Sequence, residues 1–258
     1  MRYEFLRDYE KKITSLTQTN LHYDLHFHQC VEFNRVLSGD GIIVNLPHQQ
    51  QIYRVGELSF VPSLIPHSIE SIGTTVEDNL IIPFPYIEKI YGMCGNSMNF
   101  LSMKDKKANQ KIFQIIDDIK ELIGTPYTEL IQALVNVLFL TIMKEYPYSP
   151  PPSTSSDFNL ITQIIEYVNA NFKSDLKLID IAKAFGYNKN YFSKLFNTFF
   201  RCNFRTYLNR LRIIYVEREL QQTKKEKKTI EIIHEAGFVD ASSYYRAKNK
   251  MEADENSQ

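Results

Sequence analysis

The chain has 258 residues, 43% of them hydrophobic, with 30 Lys+Arg against 30 Asp+Glu and no Trp. That apolar content supports two packed domains of about 100–150 residues each. Cys30, Cys94 and Cys202 are scattered without a CxxC pair, which argues against a disulfide framework and for a reducing cytoplasm, and Met1 opens a charged segment rather than a signal peptide.

Residues Asn20 to Pro85 read as β structure. The runs Val31 to Leu37, Gly41 to Val44 and Leu58 to Pro62 are short and apolar-rich, and Ser38-Gly39-Asp40-Gly41, Pro47-His48 and Val55-Gly56-Glu57 separate them as turns. Such strands suggest a sandwich or barrel. Within them stands His26-Phe27-His28-Gln29-Cys30-Val31-Glu32, followed by Gly39, and then Gly56, Pro62 and His67. These segments resemble the two motifs of the cupins, small double-sheet jelly rolls, although Asn20, Leu64 and Ser71 depart from the pattern. In metal-binding cupins the ligands correspond to His26, His28, Glu32 and His67. His26 and His28 are two apart, so on a strand they share a face. Three imidazoles and a carboxylate suit a divalent transition metal with open positions. The competing reading is that the four line an effector pocket or hydrogen-bond within the barrel.

From Lys104 the period becomes helical. Ile112, Ile115, Ile116, Ile119, Leu122 and Ile123 form one stripe, and a second helix from about Thr128 to Glu145 carries Leu130, Ile131, Leu134, Val135, Leu138, Phe139 and Ile142. That helix is too short and too flanked by charge for a membrane span. Pro147 to Ser156 holds four prolines and five Ser/Thr, which predicts a semi-stiff linker without packing partners.

The last hundred residues carry one motif twice. Ile181-Ala182-Lys183-Ala184-Phe185-Gly186-Tyr187 is echoed by Ile232-Ile233-His234-Glu235-Ala236-Gly237-Phe238. Each copy is a short amphipathic helix ending at a glycine, where a left-handed residue stops a helix without steric cost. A second helix follows each: Lys189 to Phe200, then Ala241 to Lys250. Helix, glycine turn, helix is the layout of the DNA-reading helix-turn-helix. In the first copy Phe192, Leu195, Phe196 and Phe199 face inward, and Lys189, Asn190, Ser193, Lys194 and Asn197 face outward. Charge follows the same division. Residues 157–250 hold 17 Lys+Arg against 10 Asp+Glu, residues 1–156 hold 13 against 17, and the last eight add three acids. A basic C-terminal half beside an acidic N-terminal half suits a DNA reader joined to a sensing domain.

Residues 157–250 resemble the AraC/XylS family of transcription regulators. The resemblance lies in Ile181-Ala182, Gly186-Tyr187, Tyr191 to Phe196, Tyr207 to Arg212 and Gly237 to Tyr244. It implies an α+β multidomain protein with an N-terminal cupin-like β-barrel, two following helices, and a C-terminal all-α domain of two helix-turn-helix units. The implied domains are 1–146 for effector binding and dimerisation, 147–156 as linker, 157–250 for DNA, and 251–258 as a disordered acidic tail. Carried over by motif, Asn190, Ser193 and Lys194 in the first unit and Ala241, Ser242 and Arg246 in the second reach base edges, while Arg212 serves structure or phosphate contact. Regulators of this family commonly keep histidines at the places of His26, His28 and His67 while binding an effector in the barrel. The preferred reading is therefore an effector pocket there, with no metal or other cofactor.

The ending departs from the family. Lys248 stands where a core Phe is expected, and no closing helix follows; loss of such packing costs about 3–5 kcal/mol and predicts a loosened second unit. Arg201 replaces a usual glycine, and Ile233 a small residue. The expected function is a sequence-specific, effector-responsive DNA-binding regulator, with a sugar or related metabolite as effector. Its expected partners are double-stranded DNA and RNA polymerase, as a cytoplasmic homodimer without membrane contact. The alternatives are a metal-dependent cupin enzyme and a defective regulator paralogue.

Overall fold

The computed structural model describes residues 1–4, 7, 12–94, 98–100, 102–149, 154–222 and 228–255. The chain divides into two compact units, Tyr3–Ser153 and Thr154–Gln258.

The first unit is a two-sheet β-sandwich. Its strands are β1 (Arg2–Tyr3), β2 (Thr14–Thr19), β3 (His22–Phe27), β4 (Val31–Ser38), β5 (Ile42–Leu46), β6 (Gln49–Tyr53), β7 (Leu58–Val61), β8 (His67–Ser71) and β9 (Val76–Ile82). One sheet runs β1-β3-β8-β5-β6 and the other β2-β9-β4-β7. Side chains alternate across β4. Val36 joins Ile42, Val44, Tyr53, Val61 and Ile69 between the sheets, while Val31 and Phe33 pack outward. β4 is covered on both faces, so Glu32, Asn34 and Arg35 are buried along with its apolar residues.

The outward face meets helices. Beyond the expected two, α2 (Lys106–Leu122) and α3 (Thr128–Glu145), a third, α1 (Phe84–Met93), directly follows β9. The sequence reading takes β structure through Pro85. Proline is tolerated in a first helical turn, where its missing N–H would have had no partner. Ile87 and Ile90 of α1, Ile112, Ile116 and Ile119 of α2, and Val135, Leu138 and Phe139 of α3 form one core with Phe33 and Phe60. Asp78 of β9 ties the sheet to α2: Arg35 Nε lies 2.9 Å from its Oδ2 and Lys120 Nζ 2.5 Å from its Oδ1. None of the described helices is long and apolar enough to cross a membrane.

The start of the expected linker does have partners. Tyr148–Ser149 form β11, which pairs antiparallel with β10 (Asn99–Phe100), and the Phe100 and Tyr148 rings lie 6.4 Å apart. At its far end Ser155 Oγ accepts from the Phe158 N–H and starts α4 at Ser156. Residues 150–153 lie outside the described residues.

The second unit is all helix: α4 (Ser156–Asn171), α5 (Leu178–Ala184), α6 (Lys189–Phe200), α7 (Phe204–Gln222), α8 (Thr229–Glu235) and α9 (Ala241–Glu255). Phe196, Phe200 and Tyr207 stack α6 on α7, with ring centroids 4.0 Å (Phe196–Phe200) and 4.6 Å (Phe200–Tyr207) apart. The second half packs Ile213, Val216, Ile232, Ile233, Phe238 and Tyr244 together, so Ile233 fills core space.

The acidic tail is corrected in part. The helix runs on through Glu255 instead of ending at Lys250, because Met251 packs against the second half's core and Lys248 Nζ bonds Glu217 Oε1 at 2.6 Å and lies 3.8 Å from Glu252 Oε1. Where a buried Phe was expected, a half-buried ion pair joins α9 to α7. Residues 256–258 lie outside the described residues.

Candidate functional site

The two halves of the helical unit are built alike. Gly186 (φ +75°) and Gly237 (φ +92°) both take the left-handed conformation that ends α5 and α8. Gly237 has a second constraint, since a Cβ there would stand 2.5 Å from the Lys173 carbonyl oxygen. Side-chain caps then start the second helix of each half: Asn188 accepts from Asn190 N–H at 2.8 Å, and Asp240 from Ser243 N–H at 2.6 Å.

On α6, Phe192, Leu195 and Phe196 are buried, and Asn190, Ser193, Lys194 and Asn197 line one surface concavity with Thr198. Lys189 is exposed and opens instead on a larger groove that Arg205, Arg210, Ser243, Arg246 and Lys250 also line. Asn190, Ser193, Lys194 and Asn197 are thus brought onto one side of α6, and Lys189 is not.

The second unit differs. Ser242 and Arg246 are exposed, but Ala241 is half-buried against the core. The turn from Gly237 to the helix start at Ala241 is one residue longer than that from Gly186 to Lys189. Phe192 therefore corresponds to Tyr244, which is equally buried, and the outward positions are Ser242, Tyr245, Arg246 and Asn249. Tyr245 and Asn249 were missed by the sequence reading. Counting i, i+3, i+4, i+7 from the exposed Ser242 reaches them.

Arg212 is structural. Its guanidinium donates to the Phe172 carbonyl at 2.8 Å (Nε) and the Ser174 carbonyl at 2.7 Å (Nη2), closing the end of α4.

In the sandwich, His26 and His67 are direct cross-strand partners of β3 and β8, His28 follows β3, and Glu32 lies on β4. All four are buried, and their candidate ligand atoms lie within 4.8 Å of one another. Each ring is held by a nearby carbonyl: His26 Nδ1 by Asp24 at 2.7 Å, His28 Nδ1 by Cys30 at 3.0 Å, His67 Nδ1 by Ile65 at 2.8 Å. A carbonyl only accepts, so Nδ1 carries a proton in each ring. The Nε2 atoms of His28 and His67 stand 3.4 and 3.7 Å from Glu32 Oε2. Burial opposes ionisation of Glu32, yet His28, His67 and Arg7 outweigh it and hold the carboxyl well below the usual range. Burial and the neighbouring His67 push His26 down to about 4, so its ring is neutral at pH 7. Among the described residues, these four could together hold a metal ion.

Further polar groups lie buried in the same unit. Asn34 donates to Ser59 Oγ at 3.2 Å but leaves its Oδ1 without a hydrogen bond, as are both carboxylate oxygens of Glu77. Burial, with Glu32 and Asp78, pushes Glu77 up to about 8.

A helix-turn-helix domain family matches residues 181–254. Among solved structures, a protein of unknown function from Listeria innocua is 30% identical, covering 35% of this chain and 84% of its own, with a TM-score of 0.33. ToxT from Vibrio cholerae is 15% identical over 92% of this chain and 93% of its own, at a TM-score of 0.44. The AraC-like transcriptional activator CuxR is 16% identical over 81% of this chain and 72% of its own, at 0.45. No curated protein matches the chain. The matched domain family and the doubled Gly-aromatic motif on paired helices identify residues 181–254 as a helix-turn-helix domain.

Proposed function

We propose that the regulator reads a two-part operator, α6 entering one major groove and α9 the next. The observation that carries this is the matching of outward faces, Asn190, Ser193, Lys194 and Asn197 on α6 with Ser242, Tyr245, Arg246 and Asn249 on α9. Asparagine pairs with adenine and arginine or lysine with guanine, each good bidentate contact giving about 1–3 kcal/mol of discrimination. Lys189, Arg205, Arg210 and Lys250 open on one groove and supply phosphate contacts. The domain assignment behind this reading is 1–146 for sensing and dimerisation and 157–250 for DNA.

The sandwich is the sensing domain. Its effector, a sugar or related metabolite, binds by His26, His28, Glu32 and His67, and the unsatisfied buried groups of Asn34 and Glu77 suit a ligand rich in hydroxyls. Effector binding shifts the regulator between two states to which it binds unequally. A homodimer acting with RNA polymerase in the cytoplasm completes the reading.

Selection from random duplexes at two salt concentrations tests it. Enrichment of two half-motifs about one helical turn apart is expected. Lys194→Ala and Arg246→Ala should each relax a different half-motif. One enriched half-motif means that α9 does not read bases. Weak binding that only fades with salt, and indifference to both substitutions, would sink direct reading and favour a defective paralogue.

A further inference from the structure

The inner face of the β2-β9-β4-β7 sheet carries oxygens that no group of the protein meets. On β9, Asp78 turns outward to Arg35 and Lys120, so its neighbour Glu77 turns inward between the sheets. Glu77 stands opposite Val36 of β4, a member of the inter-sheet core, and Asn34 shares that face two residues earlier on β4. Side chains placed diagonally across two strands in this way are within reach of one another. Both residues are fully buried. Asn34 spends its Nδ2 on Ser59 Oγ, which leaves Asn34 Oδ1 and both Glu77 oxygens without a donor. Buried acceptors are seldom left unmet, because each loses water and gains nothing in exchange.

Charge narrows what can answer them. The influences on Glu77 are burial and two acidic neighbours, Glu32 and Asp78, and together they push it up to about 8. The cations nearest in the fold, Arg35 and Lys120, are bonded to Asp78 on the other face of the sheet. A partner for Glu77 must therefore bring donors and positive charge together. A hydroxyl brings one donor and no charge, whereas a primary ammonium brings three N–H donors, one for each of the three oxygens.

We propose that Glu77 and Asn34 recognise a primary ammonium group, so that the effector is an aminated sugar or small amino polyol and not a neutral sugar. This rests on the sensing reading above, in which the sandwich interior takes a hydroxylated effector. The ammonium takes the place of the proton that Glu77 otherwise keeps, and that proton leaves to solvent. N-acetylation of the amine removes its charge and all but one of its N–H groups, so acetylated forms are refused.

Titration calorimetry on the full-length protein without DNA compares glucosamine, galactosamine and mannosamine with glucose, galactose, mannose and N-acetylglucosamine. At least one hexosamine should bind about tenfold or more tightly than its neutral parent. Glu77→Gln, which keeps the shape of the side chain, should bring the two to near parity. Asn34→Ala should weaken the amine severalfold, and it serves as the test if circular dichroism shows that Glu77→Gln does not fold. A neutral sugar that binds as well as its aminated counterpart overturns the ammonium inference and leaves the sensing reading standing. No binding by any of the sugars overturns both. A preference for the amine that survives both substitutions overturns its assignment to Glu77 and Asn34.

Discussion

Single residues of the helical unit show what its backbone demands. Arg201 ends α6 in the left-handed conformation, φ +53°, where the family usually has glycine. A non-glycine residue there costs about 1–2 kcal/mol, so Arg201→Gly should raise the melting temperature by a few degrees in calorimetry. The two turn glycines should differ. Gly186 has open space where an added methyl would sit, so Gly186→Ala meets only its φ and should cost about 1 kcal/mol. Gly237→Ala also meets the Lys173 carbonyl, and about 2–3 kcal/mol is expected in denaturant unfolding. In the sandwich, Glu77 holds a proton up to about pH 8 when folded and releases it in the ordinary carboxylate range when unfolded. The folded state thus binds the extra proton, and stability falls as pH rises from about 4.5 to about 8, by roughly 3–5 kcal/mol. Glu77→Gln should flatten that dependence in thermal melts at pH 5 and pH 8; a parallel pH profile would refute the buried protonated carboxyl.

Among the elements, those whose pattern is local were legible. α6 runs over the residues its periodicity predicts, because its apolar face, its Asn188 cap and the preceding glycine all act within a few residues. α1 was not legible, because a proline in the first turn looks the same in sequence as a proline that breaks a helix. The last turns of α9 were missed because their partners, Glu217 and the core around Ile213, lie far away in the chain. The meeting of His67 with His26 is likewise a strand-pairing event, anticipated only through the cupin resemblance. Tyr245 and Asn249 escaped because one extra residue in the second turn shifts the helix phase. At this scale Arg212 joins elements: Arg212→Ala should lose both carbonyl bonds and cost about 2–3 kcal/mol, with amide exchange rising first at the end of α4.

For the molecule as a whole, the exposed side of α3 is the feature that bears on assembly. Leu130, Val137 and Leu140 are 49%, 46% and 51% exposed and share one face, although the sequence pattern puts Leu130 with the core stripe. If the chain forms the proposed homodimer through this helix, Val137→Lys should shift sedimentation to the monomer while the melting temperature stays within a few degrees. The two helices proposed to read DNA, meanwhile, are unequally seated. α6 rests on stacked aromatic rings, whereas α9 is held to α7 in part by the Lys248–Glu217 pair. A half-exposed ion pair contributes at most about 1 kcal/mol and weakens with salt. A firmly held helix penalises every wrong base, and a looser one can adjust to several. The operator should therefore carry unequal information in its two halves: a sharply defined block under α6 and a degenerate one under α9, free to drift from promoter to promoter.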